Sequence, residues 1–194
     1  MKSRAAIHTG HGNPLVVDEV NIPDPQGDQV IVKLYSSGVC HSQLHQMHNP
    51  ETVTPSLLGH EGFGVVTHVG SKVTHVKEGD AAIVTWVPRE PTHGRWRAPS
   101  AGVTWNEQPL DASTYTWGED AIVWGGYVVK VEDDSPKDLS CIVGCAILTG
   151  AGAVTHTAKV RPEESVAIFG VGGVGMSAIQ MASILAAYPI IALD

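Results

Sequence analysis

Ser165-Val166-Ala167-Ile168-Phe169-Gly170-Val171-Gly172-Gly173-Val174-Gly175 decides how the last part of this chain folds. Val166, Ile168 and Phe169 give the opening the character of a short buried strand. It runs into G-x-G-x-x-G, where glycines at 170, 172 and 175 let the backbone turn tightly and approach a pyrophosphate at the positive end of the next helix. Gly173 lies inside the same loop. Residues from Val174 to about Ala187 predict that helix, and Ile190 to Leu193 predict a second strand that ends on Asp194. An acid there accepts hydrogen bonds from ribose hydroxyls and repels a 2′-phosphate, so the loop points to NAD rather than NADP.

The same region contains 29 uncharged residues, Ser165 to Leu193, which is long enough to cross a bilayer. The glycines between 170 and 175 and Pro189 interrupt it, and buried parallel strands are also continuous apolar runs, so no membrane span is expected. One strand-helix-strand unit cannot close a sheet. Residues 161–194 therefore predict only the first βαβ unit of a Rossmann-type α/β domain, with the boundary near residue 160 beside Pro162-Glu163-Glu164. Its open strand edges and apolar helix face predict self-association, or a homo-oligomer, through residues 165–193.

Working back from this boundary, residues 1–160 read as mostly β. Val30 to Tyr35, Gly64 to Val69, Ala81 to Val87 and Ala121 to Val131 are short β-branched runs separated by Gly, Pro, Asp and Asn clusters. Ser42 to His48 predicts a short helix, and Asp138 to Ala158 is helix-compatible although Gly144, Gly150 and Gly152 interrupt it. The net charge of −8, from 12 Lys plus Arg against 20 Asp plus Glu, offers no footprint for a phosphate backbone, so nucleic acid is not an expected partner. Three scattered cysteines and no secretory pattern at Met1-Lys2-Ser3-Arg4 argue against a disulfide framework and for a reducing cytoplasm.

Cys40, His60 and Cys145 stand in three separate segments, each flanked by glycine. Zinc prefers thiolate and imidazole, and a catalytic site uses three protein ligands so that a fourth position stays open to a substrate oxygen. A metal that polarises an oxygen, combined with a cofactor that accepts hydride, suggests interconversion of an alcohol and a carbonyl. Cys141 is expected to be an inert core thiol. A rival arrangement sets Cys40 with His41, His45 and His48 on successive turns of one helix, which would make a local metal-binding module rather than an enzyme. The Gly-His-Glu segment and the glycine loop weigh against it.

Gly59-His60-Glu61-Gly62-Phe63-Gly64, continuing to Gly70 and Val73, resembles the G-H-E-x-x-G-x-x-x-x-x-G-x-x-V pattern of the zinc-containing medium-chain alcohol dehydrogenases. Gly38-Val39-Cys40-His41-Ser42 and Gly144-Cys145-Ala146-Ile147-Leu148-Thr149-Gly150 are similar to that family's other ligand segments. The resemblance implies a mostly β GroES-like catalytic domain holding one catalytic Zn2+ on Cys40, His60 and Cys145, with Glu61 behind it. It implies that Ser42 takes the proton of a small-molecule alcohol and His45 relays it. His41 is implied at the cofactor pyrophosphate, Thr149 at the nicotinamide and Trp86 in the substrate pocket. The family usually has Asp where this chain has Gln43, which would weaken the metal site. No cysteine cluster follows Pro88, so no structural zinc is expected, and Trp96, Trp105, Trp117 and Trp124 suggest a packed lobe in its place. With the nucleotide domain incomplete, the alternative is a zinc-binding catalytic-domain fragment without activity.

Overall fold

Lys2–His8 alternates exposed Lys2 and Arg4 with buried Ser3, Ala5 and Ile7, as a half-buried strand must, and forms β1. The computed structural model describes residues 1–90 and 98–194, which fall into two compact units, Met1–Gly144 and Cys145–Asp194. Trp96 lies outside the described residues.

In the first unit β1 is followed by β2 (Val16–Asn21), β3 (Gln29–Ser37), α1 (His41–His48), β4 (Ser56–Leu57), β5 (Gly62–Val69) and β6 (Ala81–Val84). Short strands β7 (Thr104–Trp105) and β8 (Gln108–Pro109), then β9 (Asp120–Trp124) and β10 (Val128–Lys130), complete it. They pair into two sheets, ordered β4-β1-β2-β7-β8 and β10-β6-β5-β3-β9, with antiparallel neighbours throughout. Inward residues of both sheets, among them Ile7, Val20, Val32, Val66, Val84 and Ile122, make one buried cluster. Ser3 Oγ donates to Asp120 Oδ2 at 2.8 Å inside it, a bond between β1 and β9 that leaves neither group unpaired.

Each expected run contains a strand, but the strand in 81–87 stops at Val84 and the run 121–131 is split into β9 and β10 by a 3-10 turn over Gly125–Tyr127; β1 and β2 are additions that the apolar runs did not reveal. On β2 only Val20 is buried, so the strand carries almost no hydrophobic pattern. The stretch from Asp138 is not one helix. It is a 3-10 turn over Ser140–Gly144 in the first unit, and in the second unit α2 (Ala146–Gly152) followed by a π-helical turn over Ala153–Ala158. The three described tryptophans of the expected lobe tie down different segments: Trp105 Nε1 donates to Asp18, Trp117 Nε1 to the Gly38 carbonyl and Trp124 Nε1 to Asp28.

The second unit continues with β11 (Val166–Phe169), α3 (Gly173–Ile184) and β12 (Ile190–Leu193), with β11 and β12 parallel and in the register Val166 to Ile190. This is the strand-helix-strand order read from the glycine loop. Val154, Ala178, Ala182 and Ala187 form its small core. No helix among the described residues is long and apolar enough to cross a membrane.

Asp80 clamps the turn into β6: it is buried, accepts from the Lys77 N–H at 3.0 Å, and receives Lys130 Nζ of β10 at 2.7 Å. The lysine's hydrogen bond holds the Asp80 carboxyl below the usual aspartate pKa. A depressed folded-state pKa stabilises the fold above the unfolded aspartate value and loses that contribution as pH falls through the folded one. Asp80→Asn should lower the thermal midpoint at pH 7 by about 2–4 °C, and scanning calorimetry should show the deficit shrinking as both proteins are taken to acid pH.

Candidate functional site

Cys40 has extended backbone angles and sits at the N-cap of α1, so its thiol stands at the point where the chain turns from β3 into the helix. This turn is held to the start of β5, because the Gly38 N–H donates to the Glu61 carbonyl at 2.8 Å. Trp117 Nε1 donates to the Gly38 carbonyl at 3.1 Å from the other side. Gly38 has to be glycine for a steric reason: a Cβ there would run into the Glu61 carboxylate and its Cβ. Glu61 is buried against this turn, and its own N–H donates to Thr116 Oγ1 at 3.3 Å.

His60 immediately precedes this anchored Glu61. Its Nδ1 lies 2.7 Å from Gln43 Nε2, while its Nε2 is buried and has no hydrogen-bond partner. Burial pushes the His60 pKa down, which favours the neutral imidazole that a metal requires. Cys145 follows Gly144 by one peptide bond, and Gly144 is fixed within the first unit because Thr85 Oγ1 donates to its carbonyl at 2.5 Å. The ligand atoms of Cys40, His60 and Cys145 all lie within 4.8 Å of one another. Two sulfurs and one imidazole nitrogen are the donor set that suits zinc, and a cation there would satisfy the otherwise unpartnered Nε2.

The rival cluster along α1 is not what gathers. Among the described residues, Cys40, His60 and Cys145 are the group of potential ligand atoms that comes together, while His41, His45 and His48 are exposed on the helix. Ser42 Oγ accepts from Gln43 Nε2 at 3.3 Å, and the His41 and His45 rings meet edge to face at 4.9 Å. Trp86 is half exposed, its ring tilted against His60 at 6.1 Å. Cys141 is buried with Phe63 and Ile83. His60 and Trp86 border a cavity of about 240 Å³ in the first unit, with Ser56, Asp111, Ser113 and Thr114 also in its wall. Neither that wall nor the Thr85 tie leaves a sequence signal, since Thr85 and Gly144 are 59 positions apart.

Within the second unit, the loop after β11 turns tightly into α3 on glycines. Gly170 has φ +90°, and a Cβ on Gly175 would overlap the Gly170 carbonyl oxygen, so α3 can start this close to the strand only with glycine there. Gly172 is the N-cap of α3, with open space where its Cβ would point, and Gly173 begins the helix. Asp194 Oδ1 accepts from the Val171 N–H at 3.1 Å, which fixes the acid beside the loop. Thr149 is exposed on α2, its N–H donating to the Cys145 carbonyl at 2.8 Å.

Residues 26–133, more than half of the chain, match the family model described as the alcohol dehydrogenase GroES-like domain. An S-(hydroxymethyl)glutathione dehydrogenase of Escherichia coli is 35% identical over the whole chain, which spans 59% of that relative's length. Among solved structures, an alcohol dehydrogenase zinc-binding domain protein from Burkholderia ambifaria superposes with a TM-score of 0.90 at 29% identity, covering 100% of this chain and 59% of that one. Benzyl alcohol dehydrogenase from Acinetobacter calcoaceticus superposes with a TM-score of 0.86, also at 29% identity and with the same coverage.

Gln43, almost fully buried, creates a conflict inside the metal centre. An amide has one accepting oxygen and one donating nitrogen, whereas a carboxylate accepts at both oxygens. The Cys40 N–H donates to Gln43 Oε1 at 3.1 Å, so the amide nitrogen is what faces His60 Nδ1. A ring that accepts at Nδ1 carries its proton on Nε2, the atom a metal would need. With zinc on Nε2 the ring proton would have to sit on Nδ1, and two donors, Cys40 N–H and Nδ1–H, would then compete for one amide oxygen. Gln43→Glu keeps the length and gives each donor its own acceptor. Zn2+ affinity, measured by chelator competition, should rise by about tenfold or more in this variant.

Proposed function

Because the chain belongs to the zinc-containing medium-chain alcohol dehydrogenase family, we propose that it serves in the reversible oxidation of a small alcohol to an aldehyde or ketone with NAD. The observation that carries this reading is the convergence of Cys40, His60 and Cys145 around an unpartnered imidazole nitrogen. Zinc held by these three residues would supply a Lewis acid that polarises the substrate oxygen. The nicotinamide nucleotide would supply the hydride acceptor or donor.

The protein's own groups position and deprotonate the substrate. Ser42, in the first turn of α1 and two residues from Cys40, accepts the alcohol proton at its Oγ and passes it on. His45 lies one turn further along the exposed helix surface, where it hands the proton to solvent; its edge-to-face contact with His41 limits the ring's orientations. His41 stands at the positive end of α1 and meets the cofactor pyrophosphate. Glu61 backs the metal ligands as a buried carboxylate, and Trp86 narrows the substrate pocket with its indole face. On the cofactor side, the glycines at 170, 172, 173 and 175 admit the pyrophosphate and Thr149 faces the nicotinamide. Asp194 uses one oxygen on the loop, and its other accepts from the ribose hydroxyls.

One catalytic zinc, without a structural one, completes the reading, and cysteines employed as thiols fit a cytoplasmic enzyme. The second unit leaves Phe169 81%, Tyr188 78% and Ile184 75% exposed, so it associates with a second copy through residues 165–193. Sedimentation velocity should show a dimer or larger species; a monomer at all concentrations contradicts this.

Cys145→Ser should lower Zn2+ affinity at least a hundredfold while circular dichroism stays unchanged. Asp194→Ala should weaken NAD binding about tenfold and erase its preference over NADP, read by titration calorimetry. A chain that binds zinc but has no measurable affinity for NAD would favour the fragment without activity.

A further inference from the structure

The helix α1 presents metal-ligating side chains of its own, separate from Cys40, His60 and Cys145. It reads His41-Ser42-Gln43-Leu44-His45-Gln46-Met47-His48, without a lysine, an arginine or an acid. Residues four and seven apart are neighbours along one helix face, so His41, His45 and His48 make a single stripe. All three are exposed, whereas Gln43 on the opposite face is the buried residue of the helix.

Within this stripe the His41 and His45 rings meet, with centres 4.9 Å apart and planes at 70°. An imidazole nitrogen sits about 2.0–2.1 Å from a bound transition ion and its ring centre about 1.2 Å behind it, so two rings on one ion have centres about 4.5 Å apart at right-angled positions and about 5.2 Å apart at tetrahedral ones. The observed spacing falls between those values. Both rings are exposed and the second torsion of histidine is broad, so turning one nitrogen of each toward a shared ion displaces no core atom. No ammonium or guanidinium on α1 repels that ion.

We propose that His41 and His45 form a two-nitrogen chelate for a divalent transition ion of the Ni2+, Cu2+ and Zn2+ class, with water in the remaining positions and His48 outside the chelate. Imidazole nitrogen selects these ions over Mg2+ and Ca2+, which take oxygen ligands. The site stands without the alcohol-oxidising reading; only its consequence rests on that reading. A neutral imidazole has one N–H and one lone pair, so a ring whose lone pair is on a metal has no nitrogen left to take up a proton. An ion held here and a proton relay through His45 therefore exclude one another.

Titration calorimetry with Ni2+ on the untagged 194-residue chain, first given one equivalent of Zn2+, tests this. One Ni2+ should bind per chain without releasing zinc to a chromophoric chelator, and Mg2+ should not bind. His41→Ala and His45→Ala, both at exposed positions where folding is not at risk, should each weaken Ni2+ binding by about tenfold or more, because either one leaves a single ring where two had acted together. His48→Ala should change it by less than about threefold. Unchanged Ni2+ affinity in either of the first two variants, an equal loss from His48→Ala, or uptake only by displacement of zinc overturns the proposal. Neither His41→Ala nor His45→Ala removes a sulfur ligand, so a chain that fails to hold zinc sinks the metal reading above and leaves the Ni2+ comparison to decide this one.

Discussion

Everything chemical in this protein depends on bringing two sulfurs and one imidazole from distant segments within 4.8 Å of one another. Backbone and side-chain hydrogen bonds impose that convergence before any ion contributes. Gly38 N–H to the Glu61 carbonyl fixes the Cys40 turn against the His60 turn, and Thr85 Oγ1 to the Gly144 carbonyl sets the residue before Cys145. Both ties are anchored in the sheet that contains β3, β5 and β6, so the rigidity of an antiparallel core is transmitted to three side chains at its edge.

Gln43 shows how one residue can moderate such a site without touching the metal. It occupies a buried position between the Cys40 N–H and His60 Nδ1, where two acceptors are wanted and an amide offers one.

Much of this was legible in the sequence, for identifiable reasons. The strand-loop-helix turn was legible because its backbone requires positive φ at Gly170 and close approach at Gly175, and only glycine meets both demands. Cys40, His60 and Cys145 could be singled out because thiols and imidazoles in glycine-flanked segments have few structural uses, and their ligand atoms do lie close together. β2 was hidden because a strand with a single buried residue has no period to detect, even though it lies between β1 and β7 in its sheet. The run from Asp138 looked like one helix because residue propensity does not reveal that the chain switches from a 3-10 turn at Gly144 to an α-helix at Ala146. The cavity wall was invisible altogether, since Ser56, Trp86 and Asp111 meet only through tertiary folding.

X-ray absorption at the zinc edge, on the chain loaded with one equivalent of Zn2+, tests the central claim most directly. A first shell with two sulfurs at about 2.3 Å and one imidazole nitrogen at about 2.0–2.1 Å, the remainder oxygen, is the predicted result. A shell made only of nitrogen and oxygen would contradict it, because the metal would then be held without Cys40 and Cys145.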